Sequence, residues 1–302
     1  MLDFRIETFI TVCKYMNFTK AAKELMITQP AVSQHIHFLE DFYEVKLFYH
    51  VGKQIHLTEK GNILLQAVTT IKNDVNQLKN QLKQVSNDTP NLKFGVTRTI
   101  SEAIISKKLV TYIKKYENPS IQMIVGTTKE LLKLIDDGII DFALVEGYFP
   151  KNEYDYRILS KEAFVAVSSP SHIFSIPPTK IGDLLHETII TREKGSSSRE
   201  ILQQYLDMKG FSLSDFSCNM EIGALDIIKR LAIEDCGIAF LYETAVEEEL
   251  SSNQLIKIPL TDFDLTYDFS FIWNKNSIYS YRYEHIYNEL QQSSSASNKE
   301  AY

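Results

Sequence analysis

Cysteine is scarce in this chain of 302 residues. Only Cys13, Cys218 and Cys236 occur, far apart and among apolar neighbours, which fits buried free thiols in a reducing compartment rather than a disulfide framework. No apolar stretch approaches membrane-spanning length, and Asp3, Arg5 and Glu7 interrupt what a secretory signal would need. A cytoplasmic location with no membrane partner is therefore expected. Signs of catalysis are lacking as well. There is no phosphate-cradling glycine loop, no nucleophile elbow and no His/Cys/Asp set with metal-ligand spacing. His35 and His37, two apart on a helix, point to different sides, and the acidic pairs and runs at 136–137 and 247–249 read as solvated helix ends. The expectation is a protein that is not an enzyme and that uses no cofactor or metal.

Another absence is local. Residues 28–39 contain no carboxylate, although the chain as a whole carries a formal charge of −7. The segment 18–39, FTKAAKELMITQPAVSQHIHFL, reads as two short helices joined by a tight turn. Ala21, Ala22 and Leu25 let the helices approach closely. Thr28 is a good N-cap, Pro30 sits in the first turn where its missing N–H costs nothing, and Val32, Ile36 and Leu39 follow at helical spacing to face inward. Between them stand Gln29, Ser33, Gln34 and His37, side chains that can hydrogen-bond to base edges or to phosphate oxygens. An ordinary helical hairpin with a solvated polar face is the alternative.

The flanks favour the DNA-reading version. Upstream, Leu2, Ile6, Phe9, Cys13 and Met16 form an apolar stripe that supplies a third helix. Downstream, 52–61 reads as a β-hairpin wing whose Lys53, His56 and Lys60 can reach phosphates. Residues 1–61 hold seven basic and seven acidic residues, so such a domain lacks a strong positive field. It should rely on local donors, helix N-termini and more than one copy per complex.

Beyond the wing, Leu64, Val68, Ile71, Val75, Leu78, Leu82 and Val85 recur at alternating steps of four and three, a heptad seam. Lys72, Asn73, Asn76, Lys79, Asn80 and Lys83 fall off it and read as solvated. A homodimer through this helix is expected, with packing onto its own domain as the alternative. Two linked domains raise the effective concentration of the second DNA contact, so the operator should be an inverted repeat of duplex DNA.

Pro90 and its neighbours at 87–91 break the helix. Strands at 92–97, 121–126 and 142–146 then alternate with helices at 102–116 and 129–137. A second run has strands at 164–168, 187–191, 217–222 and 237–241 with helices at 181–185, 198–209 and 225–234, and a β-rich 265–273 precedes a helix at 278–290. Two α/β lobes with parallel sheets follow, and the tail from 291 reads as disordered. Ligands in such folds settle beyond the carboxyl ends of strands. Those loops carry Thr97, Arg98, Thr99 and Ser101, then Thr127 and Thr128, then Ser196, Ser197, Ser198 and Arg199 within TREKGSSSR. Free N–H groups of a helix start, with Arg98 and Arg199, would suit a small anionic metabolite; simple caps and turns are the alternative.

With FTKAAKEL, TQPAVSQHIHFLE, KLF and QIHLTEKG, the chain resembles the LysR-type transcriptional regulators. The resemblance implies that Thr28, Gln29, Pro30, Ser33, Gln34 and His37 belong to the recognition helix and Lys53 and His56 to the wing. One departure is Tyr49 and His50, where the family usually places an arginine. More weakly, FGVTRTI, GIIDFALVEG and GIAFL imply an effector domain like the periplasmic binding proteins, and TREKGSSSR is similar to the RE-GSGTR stretch of a subgroup that includes carbon-fixation and sulfite-assimilation regulators. Serine replaces glycine and threonine there.

The expected architecture is α/β: an all-α-type winged helix-turn-helix at 1–61, a linker and dimerisation helix at 62–86, and a two-lobed, Rossmann-like effector domain at 91–292. Lobe 1 comprises about 91–162 and 265–292, lobe 2 about 163–264. The implied function is a sequence-specific regulator of promoter DNA controlled by a small effector, with pairing of dimers into tetramers and contact with RNA polymerase as further expectations. An architectural DNA-binding protein without effector, or a solute-binding protein, would each account for only one half.

Overall fold

The computed structural model describes residues 3–52, 54–83 and 91–296, and the chain forms two compact units. One contains the first 87 residues with 136–139 and 274–280; the other contains the rest.

In the first unit, α1 (Phe4–Tyr15) starts where the Asp3 carboxylate accepts from the Arg5 N–H, and α2 (Phe18–Glu24) starts at Asn17, whose side chain accepts from Lys20 N–H. Helix α3 (Gln29–Tyr43) is capped by Thr28, which accepts from the Ala31 N–H, and stops at Glu44 in the left-handed region. Ile6, Phe9 and Val12 of α1 pack on Ala21 and Ala22 of α2 and on Val32, Ile36 and Leu39 of α3. The expected α1 stripe is corrected at one end: Val12 takes an inner position, while Met16 turns left-handed as the C-cap and is exposed. Leu2 lies outside the described residues. Of the three thiols expected to be buried, Cys13 is half-buried against this core, whereas Cys218 and Cys236 are exposed.

The wing begins earlier than its turn residues suggest. β1 (Phe48–Val51) pairs antiparallel with β2 (Gln54–Leu57), because Phe48 and Ile55 are drawn into the core. Gly61 belongs to the following helix, α4 (Glu59–Lys83). It is glycine for a steric reason: a Cβ there would stand 2.3 Å from the Leu47 carbonyl oxygen. Lys53 lies outside the described residues.

Helix α4 does two things at once. Val68 is buried in the winged-helix core, and Leu64 and Leu65 pack against it, so the first two seam positions serve the chain's own domain. Further along, Ile71, Leu78 and Leu82 are 48%, 46% and 77% exposed, and Val75 is half-buried. Val85 lies outside the described residues. Asn73, expected in solvent, is buried together with Asp74 and Gln77. Asp74 accepts from the Ser277 hydroxyl and the Ile278 N–H, Asn73 donates to the Asp136 carbonyl, and Thr70 donates to the Lys275 carbonyl. These contacts consume a face that composition alone marks as wet.

The second unit follows the order β3 (Asn91–Thr97), α5 (Arg98–Ile100), a π-turn at Ser101–Ile105, α6 (Ser106–Lys114), β4 (Ser120–Gly126), α7 (Thr128–Asp136) and β5 (Phe142–Glu146). Then come β6 (Tyr154–Ser168), β7 (Thr188–Thr191), α8 (Ser197–Met208), β8 (Cys218–Glu221), α9 (Leu225–Ile233), β9 (Ile238–Tyr242), α10 (Glu247–Ser251), β10 (Ile256–Lys257), β11 (Leu265–Asn274) and α11 (Ser280–Ala296). Residues 181–184 form a single 3-10 turn rather than a helix. The strands make one sheet in the order β4-β3-β5-β11-β6-β9-β7-β8, with β10 beside β6.

The lobes are parallel as expected, β3 with β4 and β5, β7 with β8 and β9. The sheet as a whole is mixed, because β11 runs antiparallel to β5 and β6 antiparallel to β9. Both are long strands that carry the chain between lobes without a crossover helix, which is why they escape the parallel rule. Tyr154–Ser168 is one unbroken strand, ten residues longer at its start than the expected strand at 164–168. Against β3, α7 comes so close that a Cβ on Gly95 would lie 2.5 Å from the Leu131 side chain. Helix α11 continues to Ala296, past the 291 boundary where disorder was expected, and 297–302 lie outside the described residues.

Gly61→Ala should destabilise the winged-helix unit by about 1–3 kcal/mol, since backbone rather than a movable side chain blocks the new methyl. Urea unfolding of the full chain, followed by a probe in this unit, checks it; unchanged stability would show that α4 can shift on β1.

Candidate DNA-reading face and effector cleft

The first-turn and outward positions of α3 present Thr28, Gln29, Pro30, Gln34 and His37 to solvent, with Ser33 half-buried between them. Gln29 Nε2 donates to Ser33 Oγ at 3.0 Å. His56 is half-buried on β2 and stacks on Tyr49 with ring centroids 5.5 Å apart. The nearest acid, Glu40, is taken out of play. Burial pushes its carboxyl up, but Lys46, 2.6 Å away, and the N–H groups of Leu47 and Phe48 hold it below the ordinary carboxylate range. His35 is not part of this face: its Nδ1 lies 2.9 Å from the Thr8 hydroxyl and its ring meets Phe4 edge-on, tying α3 to α1.

In the second unit the hydroxyl-bearing loops do sit at strand ends, but they divide into three groups. Thr128 and Ser197 line a cleft of about 900 Å³, together with Thr127, Lys129, Tyr148, Phe149, Lys151, Glu200, Gln204, Tyr267 and Asp268. Their hydroxyls converge from opposite lobes on one backbone atom, the Glu146 carbonyl, at 2.8 Å from Thr128 and 3.5 Å from Ser197. A second group is structural. Ser196 caps α8 by accepting from the Arg199 N–H, and Ser101 donates to the Arg98 carbonyl. A third group, Thr97, Thr99 and Ser198, is buried.

The two arginines expected to meet an anion are otherwise engaged. Arg199 is buried within lobe 2, where its Nη1 donates to Thr191, to the Arg192 carbonyl and to Glu221. Arg98 reaches from lobe 1 to lobe 2, donating to Glu193 and to the Gly223 carbonyl, both at 3.1 Å. The reason is local charge: Glu193 and Glu221 sit on the neighbouring strand ends and compete successfully for the guanidinium groups. Lys129 and Lys151 are the cations on the cleft itself.

Glu146 is the residue that motif matching overlooks. It ends the apolar strand FALVE, an isolated acid after buried positions, and that is the signal by which it could have been found. Burial pushes its carboxyl up from 4.5 to about 7 against the opposing pull of Thr99, Arg192 and Tyr242. Its Oε2, Thr97 Oγ1 and Ser198 Oγ have no hydrogen-bond partner among the described residues. Burial also raises the Tyr242 hydroxyl, as does the Glu146 charge.

Because the folded-state value lies above the unfolded one, the native state holds a proton on Glu146 between pH 4.5 and about 7 that the unfolded state has released. This contribution to stability is complete below pH 4.5 and is lost as pH rises through about 7. Glu146→Gln should therefore melt higher than the parent at pH 8 and lose that advantage toward pH 5. Melting curves across this range check it; parallel pH profiles would show that the carboxyl is not held in an apolar environment.

Comparison with known proteins agrees with both halves. The model for the bacterial regulatory helix-turn-helix protein, lysR family, matches residues 5–62, and that for the LysR substrate binding domain matches 86–294. An uncharacterized HTH-type transcriptional regulator of Methanocaldococcus jannaschii is 29% identical over 261 residues, covering 86% of this chain and 88% of the relative. A probable RuBisCO transcriptional regulator of Thalassiosira pseudonana is 26% identical over 295 residues, 95% of each chain. Among solved structures, full-length LysG from Corynebacterium glutamicum with bound effector Arg shares the fold at a TM-score of 0.64 with 15% identity, covering 97% of this chain and 98% of that one. A winged helix joined to a two-lobed substrate-binding domain, matched over nearly its whole length, places the chain in the LysR family of DNA-binding transcriptional regulators.

Proposed function

We propose that this regulator works as a homodimer that reads an inverted-repeat promoter through two copies of α3 and responds to a small metabolite held in the cleft that Thr128 and Ser197 line. Residues 1–61 read DNA, 62–86 pair the subunits and 91–292 sense the metabolite. The observation that carries the reading is the outward face of the first half of α3, polar and free of acid over residues 28–37, on the same unit as an α4 whose Ile71, Leu78 and Leu82 are apolar and exposed. Thr28, Gln29, Pro30, Ser33, Gln34 and His37 face the groove, and His56 and Lys53 of the wing reach phosphates.

The metabolite carries an anionic group. What supports this is Lys129 and Lys151 on the cleft and the N-terminus of the twelve-residue α8 beside Ser197, in place of the engaged Arg98 and Arg199. The relative regulators named above act in transcription, and LysG carries arginine as its effector. The protein acts in the cytoplasm, its dimers pair again on the promoter, and the change in their seating is what RNA polymerase senses.

Two measurements test this. Ser33→Ala with Gln34→Ala should leave the fold and the dimer intact while lowering preference for promoter over scrambled duplex by roughly tenfold or more; undiminished preference would contradict the reading. Replacing Ile71, Leu78 and Leu82 with serine should convert the protein to monomers by sedimentation and weaken promoter binding about a hundredfold, through loss of the second contact. A dimer that survives these changes would assign pairing to another surface.

A further inference from the structure

Beside its apolar seam, α4 carries a second stripe whose members are all polar. Thr70, Asn73, Asp74 and Gln77 recur at helical spacing and are buried, with Gln81 half-buried one turn further on. A buried helix face is ordinarily apolar, so this one needs a reason. Its partners come from two loops of the same compact unit, residues 136–139 and 274–280. Thr70 donates to the Lys275 carbonyl, Asn73 donates to the Asp136 carbonyl, and the Tyr279 hydroxyl donates to Gln81. Asp74 stands at the centre. Its two oxygens accept from the Ser277 hydroxyl and from the Ile278 N–H, and Ser277 in turn accepts from the Tyr279 N–H.

Each of these loops is the far end of an element that begins at the cleft. α7 opens with Thr128 and Lys129 on the cleft and closes at Asp136. β11 lines the cleft with Thr266, Tyr267, Asp268 and Ser270 and runs to Asn274, where the loop that holds Asp74 starts. Neither element bends freely: Leu131 and Ile135 of α7 are buried in their core, and β11 is paired with β5 over Phe269–Trp273. A displacement at the cleft end is therefore delivered to the loop end.

The chemistry of the stripe suits a contact that opens and closes. Packed, its groups need their partners, because a buried carboxylate left unpaired is costly; parted, they hydrate and expose no apolar face. An apolar stripe in the same place would hold the loops shut.

We propose that the stripe centred on Asp74 is a latch through which the contents of the cleft set how α4 is held. Asp74 is its positioning residue: it does not line the cleft, and it acts through Ser277 and Ile278. The proposal rests on the cleft being the effector site. It adds how α4 senses that site.

Hydrogen exchange of the full-length protein, read by mass spectrometry, tests the latch in four forms: parent, Gln204→Trp, Asp74→Ala and the two combined. Gln204 is an exposed residue of α8 on the cleft wall, so an indole there stands in for an occupant. In the parent background Gln204→Trp should change exchange at 127–134 and 265–270 and, by about threefold or more, at 70–81 and 274–280. With Asp74→Ala present, the first two segments should still respond and the last two should not. Ser277→Ala, which removes one hydroxyl and keeps the carboxylate, should weaken the distant response in the same direction, and it serves if Asp74→Ala does not fold. A merely structural Asp74 would raise exchange at 70–81 and leave the response to the indole in place, which would overturn the proposal. So would cleft segments that respond in the parent background while 70–81 does not. If no segment responds to the indole, the reading of the cleft fails first, and the latch with it.

Discussion

The burial of Val68 in the winged-helix core is the constraint from which much of the DNA-binding argument follows. Without it, α4 would be a tether leaving the winged helix, free to swing. With it, and with Leu64 and Leu65 packed alongside, α4 becomes a fourth helix of the same core. The polar face of α3 and the exposed apolar positions of α4 are then parts of one rigid piece. In the proposed dimer, the surface that α4 pairs with would fix the spacing of the two copies of α3, and spacing is what such a dimer must get right to span two half-sites. Gly61 belongs to the same constraint, since its missing side chain lets the start of α4 lie on the Leu47 backbone.

In the α/β unit, electrostatics at strand ends decide what is left for a ligand. Arg98 and Arg199 look like anion receptors in the sequence, but Glu193, Glu221 and nearby carbonyls satisfy them. Near the cleft, the groups without a partner among the described residues are uncharged or protonatable: the hydroxyls of Thr97 and Ser198 and one oxygen of the buried Glu146 carboxyl. Buried polar groups without partners are costly, so they mark a place where the molecule gains by rearranging or by taking in polar atoms. Hydroxyls of Thr128 and Ser197 meet at the Glu146 carbonyl from the two lobes. A ligand in the adjoining cleft is thus well placed to bias how the lobes close.

The helix-turn-helix was the most legible part of the chain. Its signals are short-range: caps at Thr28, a first-turn proline, small residues at a helix crossing, and inward positions at 3.6-residue spacing. Strands β3, β5, β7 and β9 were readable because apolar runs bounded by turns mark buried strands, and β4 was readable by its apolar run although it is an edge strand with no buried residue. The first half of β6 was missed although Tyr154, Tyr156 and Ile158 alternate with Asp155 and Arg157, because charged residues at such close spacing read equally as a solvated connection. The seam of α4 was half legible. Heptad periodicity finds an apolar stripe but does not say whether a partner or the chain's own core covers it, and here Val68 and Ile71 have different fates. Asn73 and Asp74 were illegible for a related reason, because their partners lie more than sixty residues away. At the cleft, hydroxyl clusters pointed to strand ends, of which Thr127, Thr128 and Ser197 line one cavity, while the allocation of each arginine depended on acids that only folding brings near.

The central claim, that a rigid α3–α4 piece delivered in duplicate reads duplex DNA, makes a geometric demand that footprinting measures directly. Hydroxyl-radical footprints of the full-length protein on DNA it selects should show two protected patches on one face of the duplex, related by a dyad and separated by whole helical turns of about 10.5 base pairs. A single protected patch without a dyad-related mate, or two patches at spacings that vary from site to site, would contradict it.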